Sequence, residues 1–166
     1  MNIYIEGPDA TGKTTLAKWL CDQYGFKYAH LTADSPNTFE WHKKLMNETN
    51  TVFDRFCLGE VVYSKIYGRE PKMTISDCVK LMTKMENQGD LFIALLTAKP
   101  EILNERFKAR GENEYLKESE AQIKEYIALC YGLAALEWRD FIIWDIAQGY
   151  DGLYEKIKRR LENVKV

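Results

Sequence analysis

Gly7-Pro8-Asp9-Ala10-Thr11-Gly12-Lys13-Thr14 follows the pattern G-x-x-x-x-G-K-[ST], a combination of residue types suited to holding phosphate. Its glycines let the backbone curl so that successive N–H groups converge on an anion, and a helix beginning near Lys13 adds the positive end of its dipole. Lys13 can reach β- and γ-phosphates, while the Thr14 hydroxyl suits a Mg²⁺ that bridges them. A second candidate, Asp54-Arg55, combines a carboxylate for the metal shell or the attacking oxygen with a guanidinium that can grip another phosphate in two places. A surface ion pair is the plainer alternative. Arg106 and Arg110 are spaced i and i+4, beside the polar turn Gly111-Glu112-Asn113-Glu114. A helix presents both on one face, from which they can close over phosphates and neutralise a migrating phosphoryl group. Pairing with Glu101 and Glu105 is the alternative.

These residues need elements that bring them together. Ile3-Tyr4-Ile5 stops at Gly7-Pro8 and predicts a buried strand; Leu16, Trp19, Leu20 and Tyr24 then mark a helix that Gly25 ends. Strands are expected over Phe26–Thr32, Thr51–Phe53, Leu91–Leu96 and Phe141–Trp144. Helices are expected from Ser35-Pro36 to about Glu48, over Leu58–Tyr67, and over Thr74–Asn87 with Ile75, Val79, Met82 and Met85 on one side. Further helices are expected from Pro100, over Lys117–Arg139 with two apolar stripes, and over Asp151–Leu161. Apolar strands alternating with helices imply an α/β fold: a parallel sheet covered by helices on both faces, with ligands at the carboxyl ends of the strands.

The chain has 166 residues, 46% of them hydrophobic and 29% charged, which predicts one domain over residues 1–166. With 23 basic and 25 acidic residues the net charge is −2, and no basic stripe forms, so nucleic acid polymer is not an expected partner. No apolar stretch approaches the roughly 20 residues of a membrane span, and Met1–Glu6 lacks the features of a signal peptide, so a cytoplasmic location is expected. Cys21, Cys57, Cys78 and Cys130 lie far apart without a C-x-x-C pair, and are expected reduced. His30 and His42 are expected to be structural or exposed.

Thr97-Ala98-Lys99-Pro100 lacks the Asn and Asp of an N-K-x-D guanine reader, and no L-S-G-G-Q-like segment is present, which leaves small-molecule kinases among phosphate-loop proteins. Ile5-Glu6-Gly7-Pro8-Asp9-Ala10-Thr11-Gly12-Lys13-Thr14-Thr15 resembles the opening of thymidylate kinases. Asp54-Arg55-Phe56 with Val62-Tyr63 is similar to their D-R-[YFH]-x-x-S-x-x-[AV]-Y pattern, with Gly59 at the serine position. Pro100-Glu101, Arg106 and Arg110-Gly111 are similar to their P-E-x-x-x-x-R-x-x-x-R-G lid segment. The resemblance implies a three-layer nucleoside monophosphate kinase fold around a five-stranded parallel sheet, with an acceptor-binding region at about 34–72 and a lid at about 106–118. It implies ATP and Mg²⁺, with Gly7, Asp9, Ala10, Thr11, Gly12, Lys13, Thr14 and Thr15 cradling the donor, and Thr14 and Asp54 serving the metal. Asp9 would bond a deoxyribose 3′-hydroxyl, and Arg55 the acceptor's 5′-phosphate. Ala10 occupies a position where some members carry an arginine, so Arg106 and Arg110 would supply that charge.

Phe39 and Lys43 resemble the family's aromatic-x-x-x-Arg element that stacks and bonds the base, with lysine in place of arginine. Tyr63, Arg69 and Tyr115 are further candidates for facing the acceptor, and the Asp145–Gly149 loop is the counterpart of the donor-adenine loop. The chain's length resembles that of compact, phage-encoded members, which places it in a host cytoplasm. Family members are commonly homodimers; residues 117–139 and the helices over 58–87 offer the apolar surfaces for that. The expected reaction is phosphorylation of a deoxynucleoside 5′-monophosphate, dTMP first, with another or modified deoxypyrimidine as a variant. A deoxynucleoside kinase is the rival and needs a carboxylate base, for which Glu40 and Asp34 are candidates. From another class, the rival is an ATP-binding module without catalysis.

Overall fold

The structure is a computed structural model that describes residues 1–96, 99–112 and 119–163. Strands β1 (Ile3–Glu6), β2 (Lys27–His30), β3 (Thr51–Asp54), β4 (Leu91–Leu96) and β5 (Phe141–Asp145) form one sheet in the order β2-β3-β1-β4-β5, with every neighbouring pair parallel. Helices α1 (Lys13–Tyr24), α2 (Phe39–Leu45), α3 (Cys57–Ile66), α4 (Ile75–Gln88), α5 (Pro100–Arg110), α6 (Ser119–Ala134) and α7 (Asp151–Asn163) surround it. The three-layer α/β arrangement expected from the alternation of strands and helices is therefore present.

Strand alternation sorts the core into two layers. Ile3, Ile5, Val52, Leu91, Ile93 and Leu95 pack toward α1 and α7, against Leu16, Leu20, Leu153 and Ile157. Tyr4, Phe53, Phe92 and Ala94 point the other way, onto Leu58, Val62, Leu81, Met85, Tyr126 and Cys130 of α3, α4 and α6. Burying a central strand such as Leu91–Leu96 on both faces stabilises the sheet by about 1.5–3 kcal/mol for each large apolar side chain. Between β1 and its two neighbours the chain turns in opposite directions across the sheet, which opens a crevice at the strand ends.

Four expectations are corrected. Strand β2 is an edge strand whose side chains are mostly exposed, because only β3 covers it. Helix α2 is shorter than Ser35–Glu48: Thr38 is its N-cap and accepts from the Trp41 N–H at 3.3 Å, while Asn37, in a left-handed conformation, breaks the chain before it. Helix α4 turns Cys78, Leu81, Met82 and Met85 inward and leaves Ile75 half exposed, since Thr74 caps it and frees its first turn. Helix α6 ends at Ala134 rather than Arg139; Glu137 has a positive φ and Leu136 is exposed. All four cysteines are free, and three are buried. Among the described residues, no helix is long and apolar enough to cross a membrane.

Candidate active site

The loop between β1 and α1 is shaped by two glycines with positive φ. A Cβ on Gly7 would collide with the Leu95 carbonyl, and one on Gly12 with the Tyr150 hydroxyl, so neither position accepts another residue. Thr11 Oγ1 donates to the Pro8 carbonyl at 2.8 Å, tightening the curl from within. Lys13 Nζ donates to the carbonyls of Gly7 at 2.9 Å and Pro8 at 2.7 Å, and lies 4.0 Å from Asp9 Oδ1. Burial lowers the Lys13 pKa to about 8, against the opposing pull of Asp9. An anion placed here therefore meets a poorly hydrated ammonium, whose attraction is stronger than in water.

Tyr150, just before α7, donates to the Thr11 carbonyl and accepts from Arg106 Nη1 at 3.3 Å. The same Arg106 nitrogen donates to the Ala10 carbonyl at 2.9 Å. Arg106 thus braces the loop from outside, whereas Arg110 is exposed at the cavity mouth, 3.8 Å from Glu112 Oε2.

Asp54 ends β3 and is completely buried. Its Oδ2 accepts from the hydroxyls of Thr14 at 2.6 Å and Tyr28 at 2.9 Å, and His30 Nδ1 lies 3.1 Å away. Burial, then the bond to Asp54, pushes the Tyr28 phenol up to about 12, so it remains a donor. Asp54 Oδ1 is buried without a hydrogen-bond partner. An unpartnered buried carboxylate oxygen beside the loop threonine fits a hard divalent cation, and Thr14 and Asp54 are the residues that would hold it. Among the described residues there is no cluster of three or more His, Cys, Asp or Glu. Such a cation would take most of its ligands from phosphates and water, as Mg²⁺ does.

Arg55 follows in a left-handed conformation, φ 73°, which aims it back across the crevice. Its Nη2 donates to Asp9 Oδ1 at 2.6 Å, and its guanidinium lies 5.5 Å from the Tyr63 ring centre. Beneath, Glu6 Oε1 accepts the N–H groups of Phe56, Leu58 and Gly59 at 3.0, 2.7 and 3.1 Å, capping α3 from another strand. Burial pushes the Glu6 pKa up while those amides hold it back. Gln122 Oε1 accepts the Asp9 N–H at 2.9 Å and the Tyr63 hydroxyl at 3.4 Å, tying α6 to the loop and to α3 alike.

These groups enclose a cavity of about 460 Å³, within the usual range for small-molecule sites. Of the residues expected from the sequence, Asp9, Ala10, Gly12, Lys13, Thr14 and Thr15 line it from the loop and the start of α1, and Asp54, Arg55, Tyr63, Arg69 and Arg110 the remainder. Gly7 and Thr11 are buried in the loop they shape. Phe39 and Lys43 are not among the lining residues: Phe39 packs on the core, with the ammonium groups of Lys43 and Lys80 at 6.0 and 5.8 Å from its ring centre. Both belong to α2, which turns Phe39 onto the core. Tyr115 lies outside the described residues. Sequence reasoning missed Tyr28, Glu60, Gln122 and Tyr150, and set His30 aside; only Tyr150, directly after the loop ending at Gly149, carried a positional signal.

The chain has the fold of P-loop kinases. No protein-family model matches it. Its sequence is 28% identical over 127 residues, 69% of this chain and 72% of the relative, to the SPbeta prophage-derived uncharacterized protein YorR of Bacillus subtilis. It is 24% identical over 164 residues, covering 98% of this chain and 89% of the relative, to a putative adenylate kinase of Methanocaldococcus jannaschii. Among solved structures it is similar to YorR in complex with phosphorylated GDP, with TM-score 0.81, 23% identity and coverage of 98% of this chain and 96% of that one. It is also similar to deoxyadenosine kinase from M. mycoides with bound dATP, with TM-score 0.64, 18% identity and coverage of 98% and 100%.

Proposed function

We propose that this protein transfers the γ-phosphoryl group of ATP to a deoxynucleoside 5′-monophosphate, dTMP first among candidates, giving the diphosphate. The observation that carries the reading is the charge pattern of the cavity. Its cations Lys13, Arg55 and Arg110 line it from the loop to the end of α5, while its carboxylates are engaged: Asp9 with Arg55, Asp54 with Thr14 and Tyr28, Glu60 with Arg69, and Glu112 beside Arg110 at 3.8 Å. Such a cavity suits two phosphorylated ligands better than one phosphorylated and one neutral ligand.

An acceptor phosphate is already anionic and needs no base; a nucleoside 5′-hydroxyl must lose a proton. Asp34 and Glu40, the carboxylates the sequence suggested for that work, are exposed and are not among the cavity-lining residues, Glu40 pairing with Lys43 at 3.8 Å, and the lining carboxylates Asp9, Asp54 and Glu60 already accept hydrogen bonds. This favours the monophosphate over the nucleoside as acceptor. Lys13 and the loop amides hold the donor phosphates, Arg55 orients the acceptor phosphate, and Arg110 stands where charge develops at the cavity mouth. Thr14 and Asp54 would hold Mg²⁺, which would neutralise charge on the donor phosphates. The prophage-derived relative supports the expectation of a phage-encoded chain.

The test is ADP production with ATP and Mg²⁺ against dTMP, dUMP, dCMP, dGMP, dAMP and thymidine, with Lys13→Ala as the blank. Turnover with monophosphates and not thymidine is expected. Turnover with thymidine alone moves the assignment to a nucleoside kinase, and ATP binding without turnover on any acceptor supports a binding module.

A further inference from the structure

Arg69 leaves the end of α3 through Gly68 and turns back onto Glu60 of the same helix. Arg69 Nη1 donates to Glu60 Oε1 at 2.6 Å, and Nη2 to Oε2 at 2.9 Å. The Glu60 side chain is 1% exposed and also accepts the Lys72 N–H at 2.8 Å. Burial alone would push its pKa up, but the Arg69 fork and the Lys72 amide outweigh burial and keep the carboxyl below its ordinary value. Lys72 Nζ reaches the Ser35 carbonyl at 3.2 Å, so the segment is also tied to the loop before α2. The result is a guanidinium fixed in one orientation, 37% exposed, on the wall of the cavity.

Two aromatic rings stand on the same wall. Tyr63 and Tyr67 are stacked, with ring centres 6.1 Å apart and planes 14° apart, and both line the cavity. Aromatic faces beside a rigid hydrogen-bonding fork are what a planar heterocycle requires: a surface to stack on and an edge to bond. The charge pattern separates this place from the phosphate subsites. Both arginines are paired, but Arg55 meets Asp9, 22% exposed in the loop, through one bond, whereas Arg69 is held by two bonds to Glu60, 1% exposed behind it. A neutral ion pair suits a neutral base edge better than a phosphate dianion.

We propose that Arg69, fixed by Glu60 beside Tyr63 and Tyr67, reads the base of the acceptor nucleotide and selects bases that present a carbonyl oxygen to it. A guanidinium has only donors. The free N–H groups of Arg69 meet O4 of thymine or uracil, or O6 and N7 of guanine. The amino groups of cytosine and adenine place donor against donor, and the shielded Glu60 carboxylate is not presented to receive them. The proposal deepens the kinase reading, on which its choice of ligand rests. It assigns to the segment after α3 the base-reading role that the sequence suggested for Phe39 and Lys43.

Calorimetric binding of dTMP, dGMP, dCMP and dAMP, run beside turnover with the same nucleotides, tests it. The wild type is expected to bind dTMP and dGMP about tenfold or more tightly than dCMP and dAMP, the discrimination one good bidentate base contact supplies. Arg69→Gln, whose amide both donates and accepts, is expected to bring the four within about threefold of one another. Glu60→Gln keeps the guanidinium but loosens its anchor and is expected to narrow the preference in the same direction; thermal melting of each variant confirms that it folds. Equal binding by the wild type, or an unchanged preference in folded Arg69→Gln and Glu60→Gln, overturns the proposal. Preference in binding without turnover overturns the kinase reading and keeps this one; turnover without base preference does the reverse. Absence of binding by all four overturns both.

Discussion

Arg106 and Arg110 share a helix face by spacing yet occupy different positions. Arg106 is held by the Ala10 carbonyl and the Tyr150 hydroxyl, so its charge shapes the phosphate loop, while Arg110 stands over the cavity. On the proposed phosphoryl transfer, where its charge would act on the migrating group, Arg110→Ala is expected to lower kcat by about 10³-fold or more, with ATP binding nearly unchanged. Arg106→Ala is expected to weaken ATP binding itself, because the loop loses its brace. Steady-state kinetics together with equilibrium ATP binding separate the two, and identical defects in both variants would sink the distinction. The i, i+4 arginine pair was readable from the chain. That one of its members bonds backbone was not, because Tyr150 and Ala10 are brought to it from remote segments.

Helix α3 depends on a residue outside it. Phe56 provides no side-chain cap, and the free amides of its first turn are satisfied by Glu6 of β1. This joins α3, which carries Tyr63 on the cavity, to the strand that leads into the loop. Glu6→Ala leaves three buried N–H groups unpaired and is expected to cost about 3 kcal/mol or more, measured as a lower urea midpoint at unchanged slope. A loss below about 1 kcal/mol would mean that water replaces the carboxylate. Element types were largely readable, because periodicity, Pro100 near a helix start and glycines at helix ends act locally. Lengths were less so: α2 starts late, after the left-handed Asn37, and α6 stops early, shortly before the left-handed Glu137. The exposure of β2 follows from its place at the sheet edge, which no local pattern encodes.

A buried imidazole ties the stability of the whole molecule to pH near neutrality. His42 is fully buried, edge-on to Trp41 and Phe56, with Nδ1 at 3.0 Å from the Thr38 carbonyl and Nε2 unpartnered. Burial lowers its pKa, against the weaker pull of the Thr38 and Phe56 carbonyls. The unfolded imidazole therefore takes up a proton at a pH where the folded one stays neutral. Stability from this group is complete above the ordinary imidazole value near 6.5 and declines as pH falls below it. Thermal midpoints are expected to drop between pH 7.5 and 5.5, and His42→Phe is expected to flatten that drop. An equal drop in the variant would assign the effect to other groups.

The contiguous residues of this protein determined its phosphate loop, the alternation of strands and helices, the parallel three-layer sheet and the candidate charges Lys13, Asp54, Arg55 and Arg110. Those features depend on spacing within a few turns of chain, so the sequence contains them whole. The tertiary structure decided which charges meet: Asp9 with Arg55, Thr14 and Tyr28 with Asp54, Glu6 with the start of α3, and Arg69 on the cavity wall with Phe39 and Lys43 elsewhere. Most of those meetings follow from the order β2-β3-β1, which sets His30 opposite Asp54 and Ile5 beside it. Strand order is set by how whole layers bury their apolar faces, a sum over the entire core that no short segment carries.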